Sequence, residues 1–250
     1  MTTLFISDLH LRPDDKERIE LTAHFLKTAT KGIESLYILG DLFNTWLGDD
    51  VVPTEFSPLI EQLQQLHNAN IKTYLMVGNR DFMIGKDFAK QTACELLPDS
   101  YIIDLYGTKT LLLHGDTLCI DDISYQRFRL WSRTKLFRWI IHHLPTRYRQ
   151  RISNKIKQKS SEQKQSKSSM IMDVNKSEVV AVMEQFNVTQ LIHGHTHRPA
   201  IHQLKIGGQT ATRIVLGDWD NEISYLKCDV QQYQLIDHRI SENKLFRTGH

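Results

Sequence analysis

Five times along this 250-residue chain an apolar run stops at a short polar motif. LFIS runs into Asp8-Leu9-His10, LYILG into Asp41, TYLMVG into Asn79-Arg80-Asp81, TLLL into His114-Gly115-Asp116, and TQLIH into Gly194-His195-Thr196-His197. Short apolar runs bounded by Gly, Asp and Asn read as buried strands. Strands whose ends lie together can pool the residues that follow them in one crevice, even when those residues span positions 8 to 197. Each motif alone is ordinary: a polar pair at a strand end is commonly a turn, and a His pair commonly sits on a hydrogen-bonded loop. Two imidazoles two residues apart do, however, face one side of an extended segment. Five such patterns in order are not what packing alone produces. Asp, Asn and His donors without cysteine suit two borderline-hard divalent ions better than a thiolate-held structural zinc. The motifs therefore predict a dinuclear metal hydrolase site.

The rest of the composition sets limits. Two hundred and fifty residues suffice for one large α/β domain, or one domain with an insertion, around a substantial core. Cys94, Cys119 and Cys228 are scattered, odd in number and lack a CxxC pair, which fits reduced thiols in a cytosolic protein. A ligand candidate at position 8 leaves no room for a removable leader, and no apolar run approaches the ~20 residues of a membrane span. The expectation is a cytoplasmic protein, soluble or peripheral.

A net charge of +2 conceals an asymmetry. Between Ser124 and Ser168 stand thirteen Lys or Arg against one acid, Glu162, so that segment carries +12; the remainder, with 18 basic and 28 acidic residues, carries −10. The same segment holds Tyr125, Phe128, Trp131, Phe137, Trp139, Ile140 and Leu144. Positions 128, 131, 139 and 140 fall close to one helical face, and Pro145 breaks the run before a second helix near Thr146. Such a basic, aromatic helical pair can cover an anionic amphiphile or lie on an anionic membrane surface. Packing on its own domain would explain the aromatics but not the charge.

Along the chain the pattern reads strand 3–7, helix 15–31, strand 36–40, helix 54–68, strand 71–77, helix 86–93 and strand 110–113. The basic helical segment 122–170 follows, then helix 176–186, strand 189–193 and strands near 200–206, 211–216, 222–229 and 232–239. This predicts a layered α/β fold with mixed sheets flanked by helices. Residues 1–121 and 171–250 form the core, and 122–170 a basic helical cap inserted into it. Ser160 to Ser169 is polar and of low complexity, a plausible hinge.

D-x-H, G-D, G-N-x-D, H-G-D and G-H-T-H, in that order from Asp8 to His197, resemble the calcineurin-like metallophosphoesterases. Within that superfamily, FISDLHL, GDLFNTWLGDD at 40–50, GNRDFMIG at 78–85, LHGDTLCIDD at 113–122, GHTHRP at 194–199 and the basic cap are similar to the enzymes that hydrolyse UDP-2,3-diacylglucosamine in lipid A biosynthesis. The resemblance implies that Asp41 bridges two cations, most simply Mn²⁺. Asp8, His10 and His197 would complete one site, and Asn79, His114 and His195 the other. The donor set alone also permits Fe, Zn or Co. Asp116 is a candidate to orient His114, as metal-bound imidazoles usually donate their second N–H.

The resemblance further implies attack by a metal-activated hydroxide on the α-phosphate, releasing UMP and 2,3-diacylglucosamine 1-phosphate. Asp41, Asn79, Arg80 and His195 would carry catalysis, while Asn79, Arg80, Asp122, Ser160, Lys164, Lys167 and His195 would contact substrate. Arg80 supports this independently. Many relatives have His there, able to protonate an alkoxide; arginine stays charged and cannot, yet its fork can hold phosphate. A nucleoside monophosphate needs no strong acid to leave, so Arg80 favours anhydride over alkyl-ester cleavage. The remaining expectations are an anionic inner-membrane surface as the place of action, on the cytoplasmic side, with no nucleic acid and no obligate protein partner. Two rivals are a nuclease or cyclic-nucleotide phosphodiesterase using the same metals, and a non-enzymatic scaffold, which would be expected to have lost ligands.

Overall fold

The computed structural model describes residues 1–166, 173–220, 222–240 and 244–247, with side chains described up to residue 158 in the first stretch and not for 244–247. Its elements are β1 (Thr2–Ile6), α1 (Lys16–Ala29), β2 (Ser35–Leu39), α2 (Ser57–Asn68), β3 (Lys72–Met76), α3 (Lys86–Thr92), β4 (Glu95–Leu97), β5 (Ser100–Leu105) and β6 (Thr108–Leu113). The cap helices α4 (Ile123–Ser132), α5 (Lys135–His143) and α6 (Thr146–Ser166) follow. After them come α7 (Lys176–Gln185), β7 (Gln190–His193), β8 (Ala200–Ile206), β9 (Gln209–Val215), β10 (Tyr225–Asp229), β11 (Gln232–Ile236) and β12 (Lys244–Arg247).

Two mixed sheets stack face to face. One has the order β12-β11-β10-β1-β2-β3-β4, the other β5-β6-β7-β9-β8. Strands β1 to β4 pair in parallel, as do β6, β7 and β9, so their carboxyl ends leave the sheets together. The period of two along each strand assigns the layers. Phe5, Tyr37, Leu39 and Met76 meet Leu112, Ile192 and Ile214 between the sheets. Their neighbours Leu4, Ile6, Leu36, Ile38 and Leu75 turn outward onto Phe25, Leu63 and Phe88 of α1, α2 and α3. Leu111, Leu113 and Leu191 turn onto Val179 and Met183 of α7. The result is a helix–sheet–sheet–helix stack, the layered α/β fold expected.

Three strands escape sequence reading. β4 has only three residues before Pro98, β5 forms a sheet edge, and β12 lies past the last apolar run. The turn joining β5 to β6 is Tyr106-Gly107, both with positive φ, a tight hairpin that lacks the usual Asn-Gly signature. The cap also differs from the expected pair. Its chain breaks after Ser132, where Thr134 caps α5 by accepting the N–H of Phe137 at 3.2 Å. Residues 128 and 131 therefore do not share a helical face with 139 and 140. Four of the cap's arginines also face inward. Arg129 pairs with Asp116 and Asp99, Arg133 donates to the Gly78 carbonyl, Arg138 to that of Ile84, and Arg149, 5% exposed, forks onto Asp50 at 2.6 and 2.8 Å. The positive charge is partly a set of rivets.

Candidate metal centre

The five motifs meet, and their backbones bond to one another. Asp8 N–H donates to the Gly40 carbonyl, His10 N–H to that of Asp41, and Gly194 N–H to that of His114. Glycine makes the approach possible: a Cβ on Gly78 would lie 2.1 Å from Asp41 Oδ1, and one on Gly194 2.1 Å from Ser7 Oγ. Asp81 ties two loops, its Oδ1 accepting Gly78 N–H at 2.7 Å and its Oδ2 accepting Phe43 N–H at 3.2 Å. Among the described residues nine non-glycine positions have positive φ, and five are Asp8, His10, Asp41, His195 and His197. A left-handed residue costs roughly 1–2 kcal/mol, and such strain concentrates at functional sites.

Each carboxylate has one oxygen anchored and one directed inward. Asp8 Oδ2 accepts from Ser7 Oγ and His195 N–H, both at 2.7 Å; its Oδ1 stands 3.3 Å from His197 Nε2 and 3.7 Å from His10 Nε2. Asp41 Oδ1 accepts Arg80 N–H at 2.7 Å, leaving Oδ2 between two imidazoles, 3.8 Å from both His10 Nδ1 and His114 Nε2. His114 Nδ1 lies 2.9 Å from the Leu39 carbonyl, to which it donates. Its Nε2 then faces Asn79 Oδ1 at 2.9 Å, and His195 Nδ1 meets the same oxygen at 3.0 Å. The two Nε2 atoms of His10 and His197 are 3.1 Å apart. Pairs of acceptors this close repel unless a proton or cation lies between them. Asp8 Oδ1 and His10 Nδ1 are buried without a hydrogen-bond partner. An orphaned carboxylate oxygen within 3.7 Å of two imidazoles fits a divalent cation.

Protonation follows the same logic. Burial pushes Asp41 up to about 6, and pulls His10 down to about 4 and His195 to about 3. Both imidazoles are thus neutral near pH 7, the state that binds a cation. Burial also pulls on His197, but its contacts with Asp218 and Asp8 prevail and lift it to about 10. That proton is one a cation would displace.

Other candidates are distributed differently. Arg80 projects beside this cluster, and Lys157 of α6 comes close enough that burial, Arg80 and Arg12 lower its proton affinity. Asp122 caps α4, its Oδ1 accepting Tyr125 N–H at 3.1 Å and the Ser124 hydroxyl at 2.8 Å. Asp116 does not bond His114, whose Nδ1 goes to Leu39; it binds the Tyr125 hydroxyl and Arg129 Nε instead. A backbone carbonyl was nearer. Tyr125 stacks against His195 at 6.4 Å, bringing the cap onto the centre. Ser160, Lys164 and Lys167 lie outside the described residues, the first two as side chains on α6. Sequence reading missed Lys157, Ser7 and Asp218. Asp218 carried a readable signal: RIVL before Gly217-Asp218 is a sixth apolar run ending in a polar motif.

No helix among the described residues is long and apolar enough to cross a membrane. The stacked mixed sheets and the buried Asp, Asn and His donors at their carboxyl ends define a hydrolase that binds divalent metal. The chain belongs to the calcineurin-like phosphoesterases, whose family pattern matches residues 1–199. UDP-2,3-diacylglucosamine hydrolase from Tolumonas auensis is 47% identical over 249 residues, covering 98% of this chain and 100% of that one. The enzyme of the same name from Photobacterium profundum is 43% identical, covering 97% and 99%, and that from Histophilus somni 46% identical, covering 94% and 99%. Among solved structures, Vacuolar Protein Sorting 29 from Cryptosporidium parvum is 12% identical with a TM-score of 0.49, covering 99% of this chain and 96% of that one.

Proposed function

We propose that this chain hydrolyses the pyrophosphate bond of UDP-2,3-diacylglucosamine at the α-phosphate, giving UMP and 2,3-diacylglucosamine 1-phosphate for lipid A biosynthesis. The observation that carries the reading is the near-end-to-end identity to UDP-2,3-diacylglucosamine hydrolases, which includes the cap as well as the motifs. Asp8, His10, Asp41 and His197 would hold one cation, and Asp41, Asn79, His114 and His195 a second; manganese suits the donors. Bound divalent cations supply a water nucleophile at neutral pH and neutralise charge on phosphoryl oxygens.

The residues do the rest. Asn79 and His195 orient the phosphate, and Arg80 balances the charge that moves onto the leaving monophosphate without donating a proton. Residues 122–170 act as the cap on a core of 1–121 and 171–250. Phe82, next to the G-N-R-D motif, packs edge-on to Phe128 and against Phe137, and Arg133 lies 5.6 Å over its ring. That apolar cluster beside Arg80 suits acyl chains, while Asp122, Ser160, Lys164 and Lys167 take the sugar phosphate. Leu130, Trp131, Leu136, Trp139 and Ile140 remain exposed on α4 and α5, amid exposed Arg127, Lys135, Arg147 and Arg151. Tryptophan with basic residues favours an anionic interface, each cation contributing about 1 kcal/mol. The protein would work peripherally on the cytoplasmic face of the inner membrane.

The test is turnover of UDP-2,3-diacylglucosamine with and without Mn²⁺, read as UMP release, beside bis-p-nitrophenyl phosphate. Metal-dependent UMP release far above diester cleavage is expected. Diester cleavage without UMP would overturn the lipid substrate and favour a general phosphodiesterase.

A further inference from the structure

His197 is more exposed than the buried members of the centre. Its side chain is 35% exposed, against 20% for His10 and 2% or less for Asp8, Asp41 and His114, and it sits in a loop at φ 55°. His114 is oriented by a backbone carbonyl inside a sheet. What fixes His197 comes from elsewhere. Its Nδ1 stands 3.1 Å from Asp218 Oδ2. Asp218 Oδ1 accepts from Arg239 Nη1 at 2.5 Å, and Arg239 is itself clamped by Asp237, which takes Nε at 2.7 Å and Nη2 at 2.6 Å. Arg239 Nη1 also reaches the His197 carbonyl at 3.4 Å. A Cβ on Gly217 would lie 2.3 Å from Asp237 Oδ2 and 2.4 Å from Arg239 Nη2, so the pair lies against bare backbone that only glycine provides. All four residues lie beyond 199, where the family pattern ends.

We propose that Asp218 and Arg239 are positioning residues that set cation affinity at the Asp8–His10–His197 site alone. This rests on the two-cation reading above. A carboxylate behind a ligating imidazole fixes its ring and tautomer and raises its basicity, and losing such a partner typically weakens metal binding about 10- to 100-fold. Asp218 acts on His197, and Arg239 holds Asp218 through a charge-assisted bond while its second edge is locked by Asp237. Within the centre, the contacts of Asp218 and Arg239 go to the ring and carbonyl of His197, not to the side chains of Asn79, His114 or His195. The two sites thus depend on different parts of the molecule: one on the motifs only, the other also on Asp218 after β9 and on Asp237 and Arg239 after β11.

The experiment is Mn²⁺ titration of the metal-stripped full chain by calorimetry, for wild type, Asp218→Asn, Arg239→Ala and Arg239→Lys. A second readout is the ¹⁵N spectrum of the histidines in the metal-free protein. Two binding events are expected in wild type. In Arg239→Ala one should weaken about 10- to 100-fold while the other holds; Asp218→Asn should weaken the same one, and Arg239→Lys should recover part of the loss. The metal-free spectrum should show the ring resonances of His197 alone shifting in Asp218→Asn, a change that general loosening would not confine to one histidine. Two events with unchanged affinities, or equal weakening of both, would overturn the proposal. A single event in wild type would instead sink the two-cation reading, and an unaltered His197 resonance would then still reject the role of Asp218.

Discussion

In the crevice, Asp8, Asp41 and His114 are at most 3% exposed, and the motif backbones are bonded to one another. On the cap, Leu130, Trp131, Leu136 and Trp139 are 59–73% exposed, and the helices hold to the core through arginine side chains and through Phe137 and Ile141. The contrast separates two requirements of one reaction. A centre that must place charges to a fraction of an ångström is built from short loops at strand ends. A surface that accepts a flexible amphiphile, the role proposed for the cap, is built from helices that keep large apolar side chains in solvent.

The largest expected effect breaks the rigid side. Asp41→Ala removes the carboxylate proposed to be shared by the two cations and should lower turnover by about 10³-fold or more, several kcal/mol of barrier, without abolishing folding. Steady-state rates with saturating Mn²⁺ check it. Next comes Asp81→Ala, which leaves the Gly78 and Phe43 N–H groups buried without an acceptor. At about 1–3 kcal/mol per group, a loss of roughly 2–6 kcal/mol in urea unfolding is expected. A change under about 0.5 kcal/mol would mean that the loops do not need this tie.

Gentler tests concern the cap. Bonds from Arg149 hold Asp50 below the usual carboxylate range. A folded pKa depressed below the unfolded ~3.9 means that the pair's contribution is complete above about pH 4 and fades as pH falls through the folded value. Asp50 is 41% exposed, so the contribution is under about 1 kcal/mol. Hydrogen exchange in α5 and α6 should therefore rise before that of the sheets on acidification, and Arg149→Ala should remove the difference. The smallest effect is expected from Trp131→Ser with Trp139→Ser: several-fold weaker co-sedimentation with phosphatidylglycerol vesicles. Unchanged sedimentation would show that the exposed aromatics do not meet the membrane.

The same division explains what the sequence disclosed. All seven donor candidates were legible because each follows an apolar strand, a pattern local in the chain although the site is not. Asp218 obeys that pattern too, at the end of RIVL-Gly217, but has no histidine beside it. Arg239 had no such mark, since its partners Asp218 and His197 are 21 and 42 positions away. Asp116 was assigned to His114 because imidazole usually seeks a carboxylate; the Leu39 carbonyl, on the neighbouring sheet, was invisible to spacing. The cap was legible as basic and helical but not in its direction. Whether an arginine faces solvent, as Arg147 does, or a buried clamp, as Arg149 does two residues later, depends on an aspartate 99 positions earlier.

Five donors sit in left-handed backbone, and Asp8 Oδ1 and His10 Nδ1 among them are buried without a hydrogen-bond partner. Each such residue is a local debt of roughly 1–2 kcal/mol, against a total folding stability of about 5–15 kcal/mol. Loading and folding therefore form one linked equilibrium, in which divalent cation acts as a stabilising ligand. Scarcity of that cation would do more than idle the protein: it would enlarge the unfolded fraction on which proteases act and shorten its lifetime.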